Sequence, residues 1–137
     1  MLLSNNHIQS SCLCGSEQSY ANCCFPFHNG DDYPETAEQL MRSRYVAYAK
    51  QLAPYLLQTW YFENRPMSLV FDQSLVWTKL IVESTKKGGK KDRKGWVTFT
   101  ATYQIDSLDF QPLSLREKSI FLRDQNNHWC YVSGTCF

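Results

Sequence analysis

The chain has 137 residues, of which 43% are hydrophobic and 15% aromatic, with 14 Lys and Arg against 13 Asp and Glu. That apolar content excludes a disordered chain, and the length allows one ordinary domain, or one small domain with a short appendage. A net charge of +1 excludes a whole-protein basic field for nucleic acid. The N-terminal MLLSNNHIQSS has no basic n-region and no long apolar run, so it does not read as a secretory signal. No later stretch is apolar for long enough to span a bilayer. The expected compartment is the cytoplasm, where the six cysteines more often hold metal or do redox work than form structural disulfides.

In chain order, His7 reads as a tail residue, and the first organised segment is CLCGSEQSYANCCFPFH, residues 12–28. Its spacing, C-x-C-x8-C-C, pairs two sulfur sites in a piece too short to fold by burial alone. Zinc binds four such ligands as a tetrahedron, with Zn–S near about 2.3 Å. Cys12 and Cys14 can supply one edge from a turn that Gly15 permits. Ser16 is the expected N-cap of a short helix over Glu17–Asn22, which returns Cys23 and Cys24 to the opposite edge. Either Cys24 or His28 completes the set, with Cys24 preferred. Four protein ligands close the site, so such a zinc is structural. Two disulfides, or free thiols, are the alternatives.

CLCGSEQSYANCC resembles the SEC-C motif, the small zinc module at the C-terminus of the SecA translocation motor and on other bacterial proteins, where it docks protein partners. Cys12, Cys14, Gly15, Ser16, Tyr20, Cys23 and Cys24 match it. Glu17 and Gln18 stand where Gly-Lys is usual, which keeps the ligands but removes a lysine that could touch an acidic partner.

Residues 29–34 form a turn-rich link. Thr36 with Gln39 signals a capping box, and Ala37, Leu40, Met41, Arg44, Tyr45, Tyr48 and Leu52 follow at helical spacing, predicting a helix to about Gln51. Arg44 lies inside the apolar stripe and Arg42 near its border. A buried arginine needs a partner, so Arg44 is expected either to pair with a carboxylate or to bind a ligand. Pro54 suits the first turn of a second helix over Tyr55–Trp60, and residues 67–75 are read as another short helix.

From Trp77 the pattern turns to strands: Trp77–Ser84, Trp96–Asp106, Leu115–Arg123 and His128–Ser133. Helices followed by hairpin-linked strands predict an α+β fold, with helices on one face of an antiparallel sheet. LMRSRYVAYA, LLQTW, VTFTATY and EKSIF resemble the YchJ-like family of bacterial proteins. That resemblance implies a zinc knuckle over residues 1–33, followed over residues 34–137 by a nuclear transport factor 2-like (cystatin-like) cone, a curved sheet wrapped by helices around a cavity. It also brings in a homodimer assembled through the sheet. Cys130 and Cys136 alone do not make the second SEC-C motif that some members carry; the strand alternation explains His128 and Cys130 as same-face neighbours.

The cavity of such a cone can be an active site, and Arg42, Arg44, Tyr45, Trp60 and Glu117 are the candidates for its polar lining. Nothing among them marks a nucleophile or a base, and a structural Glu117–Arg44 pair explains the same residues without catalysis. Lys86, Lys87, Lys90, Lys91, Arg93 and Lys94 could contact RNA or ribosome phosphates, but interleaved aromatics are missing apart from Trp96, and a solvated hairpin tip is the favoured explanation. The leading expectation is a protein-interaction module with a structural zinc and a small-ligand cavity. The alternative is a small enzyme acting on an apolar or carboxylate-bearing metabolite.

Overall fold

The computed structural model describes residues 10–106 and 111–137; His7 lies outside them. A 3-10 turn at Tyr20–Asn22 and helix α1 at Phe25–His28 follow the first cysteine pair. Helices α2 (Ala37–Lys50) and α3 (Ala53–Gln58) and a 3-10 turn at Phe62–Asn64 come next. Strands β1 (Leu75–Lys87), β2 (Lys94–Ile105), β3 (Leu113–Arg123) and β4 (Trp129–Cys136) complete the chain. They form one antiparallel meander in the order β1-β2-β3-β4, with the helices on one face. This is the α+β architecture that the pattern predicts.

The start of α2 is fixed by side-chain chemistry. Thr36 Oγ1 accepts from the Gln39 amide at 3.1 Å, while Gln39 Oε1 accepts from the Glu35 amide at 2.7 Å, one residue earlier than a standard capping box. A third amide of this end, Ala37 N–H, donates to Gly88 O in the β1–β2 hairpin at 2.9 Å. Gln51, with φ 59°, ends the helix in the left-handed conformation. Leu40, Met41, Tyr45 and Val46 then pack against Leu80, Val97, Phe99, Ala101 and Phe121 of the sheet.

The sheet curves because it carries extra residues. Thr78 and Glu83 bulge from β1 against β2, and Val132 bulges from β4 against β3. The first bulge moves the inward positions of β1 from Leu75 and Trp77 to Leu80 and Val82. In β2, Val97, Phe99 and Ala101 point in and the intervening threonines point outward, as the alternation predicts.

Two expectations fail. No helix forms over 67–75, because Leu69 and Phe71 turn inward against the α3 cluster while Val70 between them is exposed, a two-residue period that belongs to extended chain. The helix expected over Glu17–Asn22 shrinks to the Tyr20–Asn22 turn. Glu17 adopts φ 68°, and Ser16 Oγ accepts from the Gln18 amide at 3.2 Å instead of capping a helix.

The lysine-rich hairpin is tight. Arg123 donates to the carbonyls of Lys90 and Asp92 at 2.8 and 2.7 Å, and Lys86 and Lys94 both lie over the Trp96 ring. Gly88 needs its φ of 79°, and a Cβ there would stand 2.8 Å from Ala37 Cβ. Gly88→Ala should therefore destabilise the fold by about 1–2 kcal/mol from backbone conformation alone, measured by urea unfolding.

Candidate metal centre and pocket

Gly15, at φ 83°, reverses the chain after Cys14, and the 3-10 turn brings Cys23 and Cys24 back to it. One sulfur from each of Cys12, Cys14, Cys23 and Cys24 lies within 4.8 Å of every other. Two separations are 3.6 Å (Cys14–Cys23) and 3.9 Å (Cys23–Cys24), and none of the six cysteines is in a disulfide. A tetrahedral zinc–thiolate site has an S–S edge of about 3.8 Å, so these two separations match it and the whole cluster is close enough to gather around one metal. Cys12, Cys14 and Cys24 are buried.

Without a cation, so many crowded thiols do not ionise together. Hydrogen bonds from Cys12 and then Cys24 hold the Cys14 thiol far below its ordinary pKa. The same contact with Cys14 pushes Cys12 up to about 11, and the bond to Cys12 drives Cys24 upward as well. The Cys14 thiolate is thus favoured in the cluster, and a divalent cation would let Cys12 and Cys24 ionise beside it.

His28 stands apart. Its Nδ1 lies 2.7 Å from the Tyr20 hydroxyl and its Nε2 2.8 Å from Ser43 O. The carbonyl can only accept, so Nε2 carries the proton and Nδ1 accepts from Tyr20. Both nitrogens are thus spent, one on the Tyr20 turn and one on fixing α1 to α2. His28→Ala should leave the metal content of the purified protein unchanged while lowering stability by about 1–3 kcal/mol, read by elemental analysis and thermal unfolding.

The turn is anchored on α2 and β1. Arg42 NH1 donates to Cys14 O at 2.5 Å, and its Nε meets Glu38 at 2.9 Å. A Cβ on Gly15 would come within 3.2 Å of Leu80 O, so the turn lies directly on β1. Arg42, expected in the cavity, belongs to this junction.

The cavity itself lies between α2 and the sheet, with a volume of about 180 Å³. Met41, Arg44, Tyr45 and Tyr48 form its helical wall, and Trp77, Phe99, Leu115, Glu117, Phe121 and Tyr131 its sheet wall. Trp60 does not line it. The Tyr61 amide donates to Tyr131 O, and the Tyr131 amide to Thr59 O, both at 2.8 Å, a short parallel bridge that sets Trp60 behind Arg44. The Arg44 guanidinium is flanked by the Trp60 and Tyr131 rings, 4.9 and 4.7 Å from their centroids.

The expected Glu117–Arg44 ion pair does not form; no carboxylate lies within 4.0 Å of Arg44 among the described residues. Arg44 NH1 turns instead to Leu56 O (2.8 Å) and Thr59 Oγ1 (2.7 Å) at the end of α3. Glu117 accepts from Ser119 Oγ at 2.6 Å and leans over Gly134, where any Cβ would collide with its carboxylate. Sequence reasoning missed Tyr48 and Tyr131 as lining residues, although Tyr48 lies four residues after Arg44 on the same helical face.

Residues 36–134 match the family model described as the middle, nuclear transport factor 2-like domain of YchJ. A UPF0225 protein of Streptomyces coelicolor is 41% identical over 90% of this chain and 93% of its own length. Another, of Corynebacterium glutamicum, is 39% identical over 90% and 94%. The solution structure of an SEC-C motif containing protein from Rhodopseudomonas palustris aligns with a TM-score of 0.79 at 27% identity, over 93% of this chain and 98% of that one. The crystal structure of an SEC-C motif containing protein from Psychrobacter arcticus shares the fold, with a TM-score of 0.76 at 21% identity over 96% and 85%. With its helices on a curved four-stranded sheet and four cysteines gathered ahead of them, the chain belongs to the YchJ-like family.

Proposed function

We propose that the chain is a cytoplasmic binding module: a single structural zinc held by Cys12, Cys14, Cys23 and Cys24 shapes a knuckle that docks on a protein partner. The observation that carries the zinc assignment is the spacing of the four sulfurs, which matches a tetrahedral thiolate cage. Such a cage has no coordination position left for water or substrate, so the metal serves shape rather than reaction. Leu13, half exposed between the first two ligands, gives the knuckle an apolar tip for a partner.

No described helix is long and apolar enough to cross a membrane. The unpaired cysteines support a reducing compartment.

Elemental analysis of the purified protein should find a single zinc per chain, and Cys14→Ser should lower that content. Zinc coordination in finger-like peptides contributes about 10–16 kcal/mol, so chelation should lower the melting temperature of the knuckle sharply. Affinity capture from bacterial lysate should then recover a partner with wild type and lose it with the Cys12→Ser/Cys14→Ser double variant, provided circular dichroism shows the sheet intact. Metal-free wild-type protein of full stability would remove the zinc assignment; identical partners on both baits would remove zinc-dependent docking.

A further inference from the structure

Arg44 is a buried cation whose anion the protein does not supply. It is 4% exposed, and no carboxylate among the described residues reaches it. Its Nη1 donates to Leu56 O and Thr59 Oγ1, and the guanidinium also reaches the Tyr48 hydroxyl in the cavity wall. No buried side-chain polar atom among the described residues is orphaned. Arg44 is itself part of the cavity lining, so a bound molecule there can meet the rest of its guanidinium. Rings on two sides hold the plane of the group fixed, so its free edge is set in advance for a planar acceptor.

The rest of the cavity restricts what that acceptor carries. Trp77, Phe99, Leu115 and Phe121 make most of the wall apolar. A volume of about 180 Å³ admits a small molecule, less than the roughly 300–1,000 Å³ of drug-sized sites. Arg44 is the one cation in the lining, and Glu117 stands in the same wall. A dianion such as phosphate meets too little positive charge there, and repulsion from Glu117. A single negative charge on a flat two-oxygen group is balanced by one guanidinium and feels half the repulsion from Glu117, and its apolar body suits the rest of the wall.

We propose that this cavity binds a small monocarboxylate with an aromatic or branched apolar body, its carboxylate held by Arg44. The site is separate from the cysteine cluster, and the inference does not rest on the zinc assignment. Tyr48 and Tyr131 border the anion position; burial raises the pKa of both hydroxyls, Tyr131 to about 12, so they remain protonated donors at neutral pH.

The test is titration of the full chain, followed by amide NMR shifts, with phenylacetate, 3-methylbutanoate, the neutral phenylacetamide and inorganic phosphate. The expected result is that phenylacetate moves resonances of α2, β2 and β3 around the cavity. Phenylacetamide should bind roughly ten- to a hundredfold more weakly, the loss of a charge-assisted hydrogen bond. Phosphate should leave these resonances in place. Arg44→Gln should erase the preference for acid over amide, and Ala101→Leu, which fills the cavity from β2 while keeping all charges, should abolish binding of both. Equal binding of acid and amide, saturable phosphate binding, or no cavity shifts with either acid at millimolar concentration overturns the proposal. If Arg44→Gln does not fold, the acid–amide comparison on wild type and the Ala101→Leu variant decide it.

Discussion

Arg42 spans the junction on which the molecule depends. One nitrogen holds the Cys14 carbonyl and another meets Glu38, so a single guanidinium ties the cysteine turn to α2. That bond lies beside Gly15, whose missing side chain lets the turn rest on the Leu80 carbonyl. The four-cysteine turn is therefore built into the same apolar cluster as Met41, Tyr45 and Phe99. A metal bound there would stabilise more than its own loop, because the loop forms one end of the core.

Helix α2 carries that support to the cavity. Arg42 faces the cysteines, while Met41, Arg44, Tyr45 and Tyr48 face the sheet across the cavity. Its first turn is held by Thr36, Gln39 and the Gly88 carbonyl, and Ser43 joins it to α3 through the Tyr55 hydroxyl at 2.6 Å. Each contact limits rotation of the helix about its axis. A buried cation needs that restraint, since its hydrogen bonds and ring contacts all depend on where Arg44 points.

Much of this was legible in the sequence. The apolar stripe of α2, the threonine alternation of β2 and the C-x-C…C-C spacing each follow from a local repeat, and the structure brings all four cysteines together. What stayed hidden depends on partners distant in sequence. Arg42 and Arg44 differ by two residues on one helix, and nothing local says that one reaches back to residue 14 and the other forward to residues 56 and 59. The absence of a Glu117–Arg44 pair reflects competition: carbonyls at the end of α3 engage the guanidinium, and Ser119 engages the carboxylate. The extended run before β1 was not legible, since the apolar residues after Pro66 have no clear period in sequence and contact with α3 chooses their conformation.

The bulges of β1 have a consequence beyond curvature. β1 is an outer strand of an open sheet, where unpaired backbone groups invite another chain to add a strand. Thr78 and Glu83 interrupt that edge twice within its length. Glu83 is also drawn across β2 to Arg116 and Thr100, which tightens the twist at the second break. A straight neighbouring strand finds no uninterrupted ladder to follow. The β1 margin is thus a poor template for strand addition by another chain.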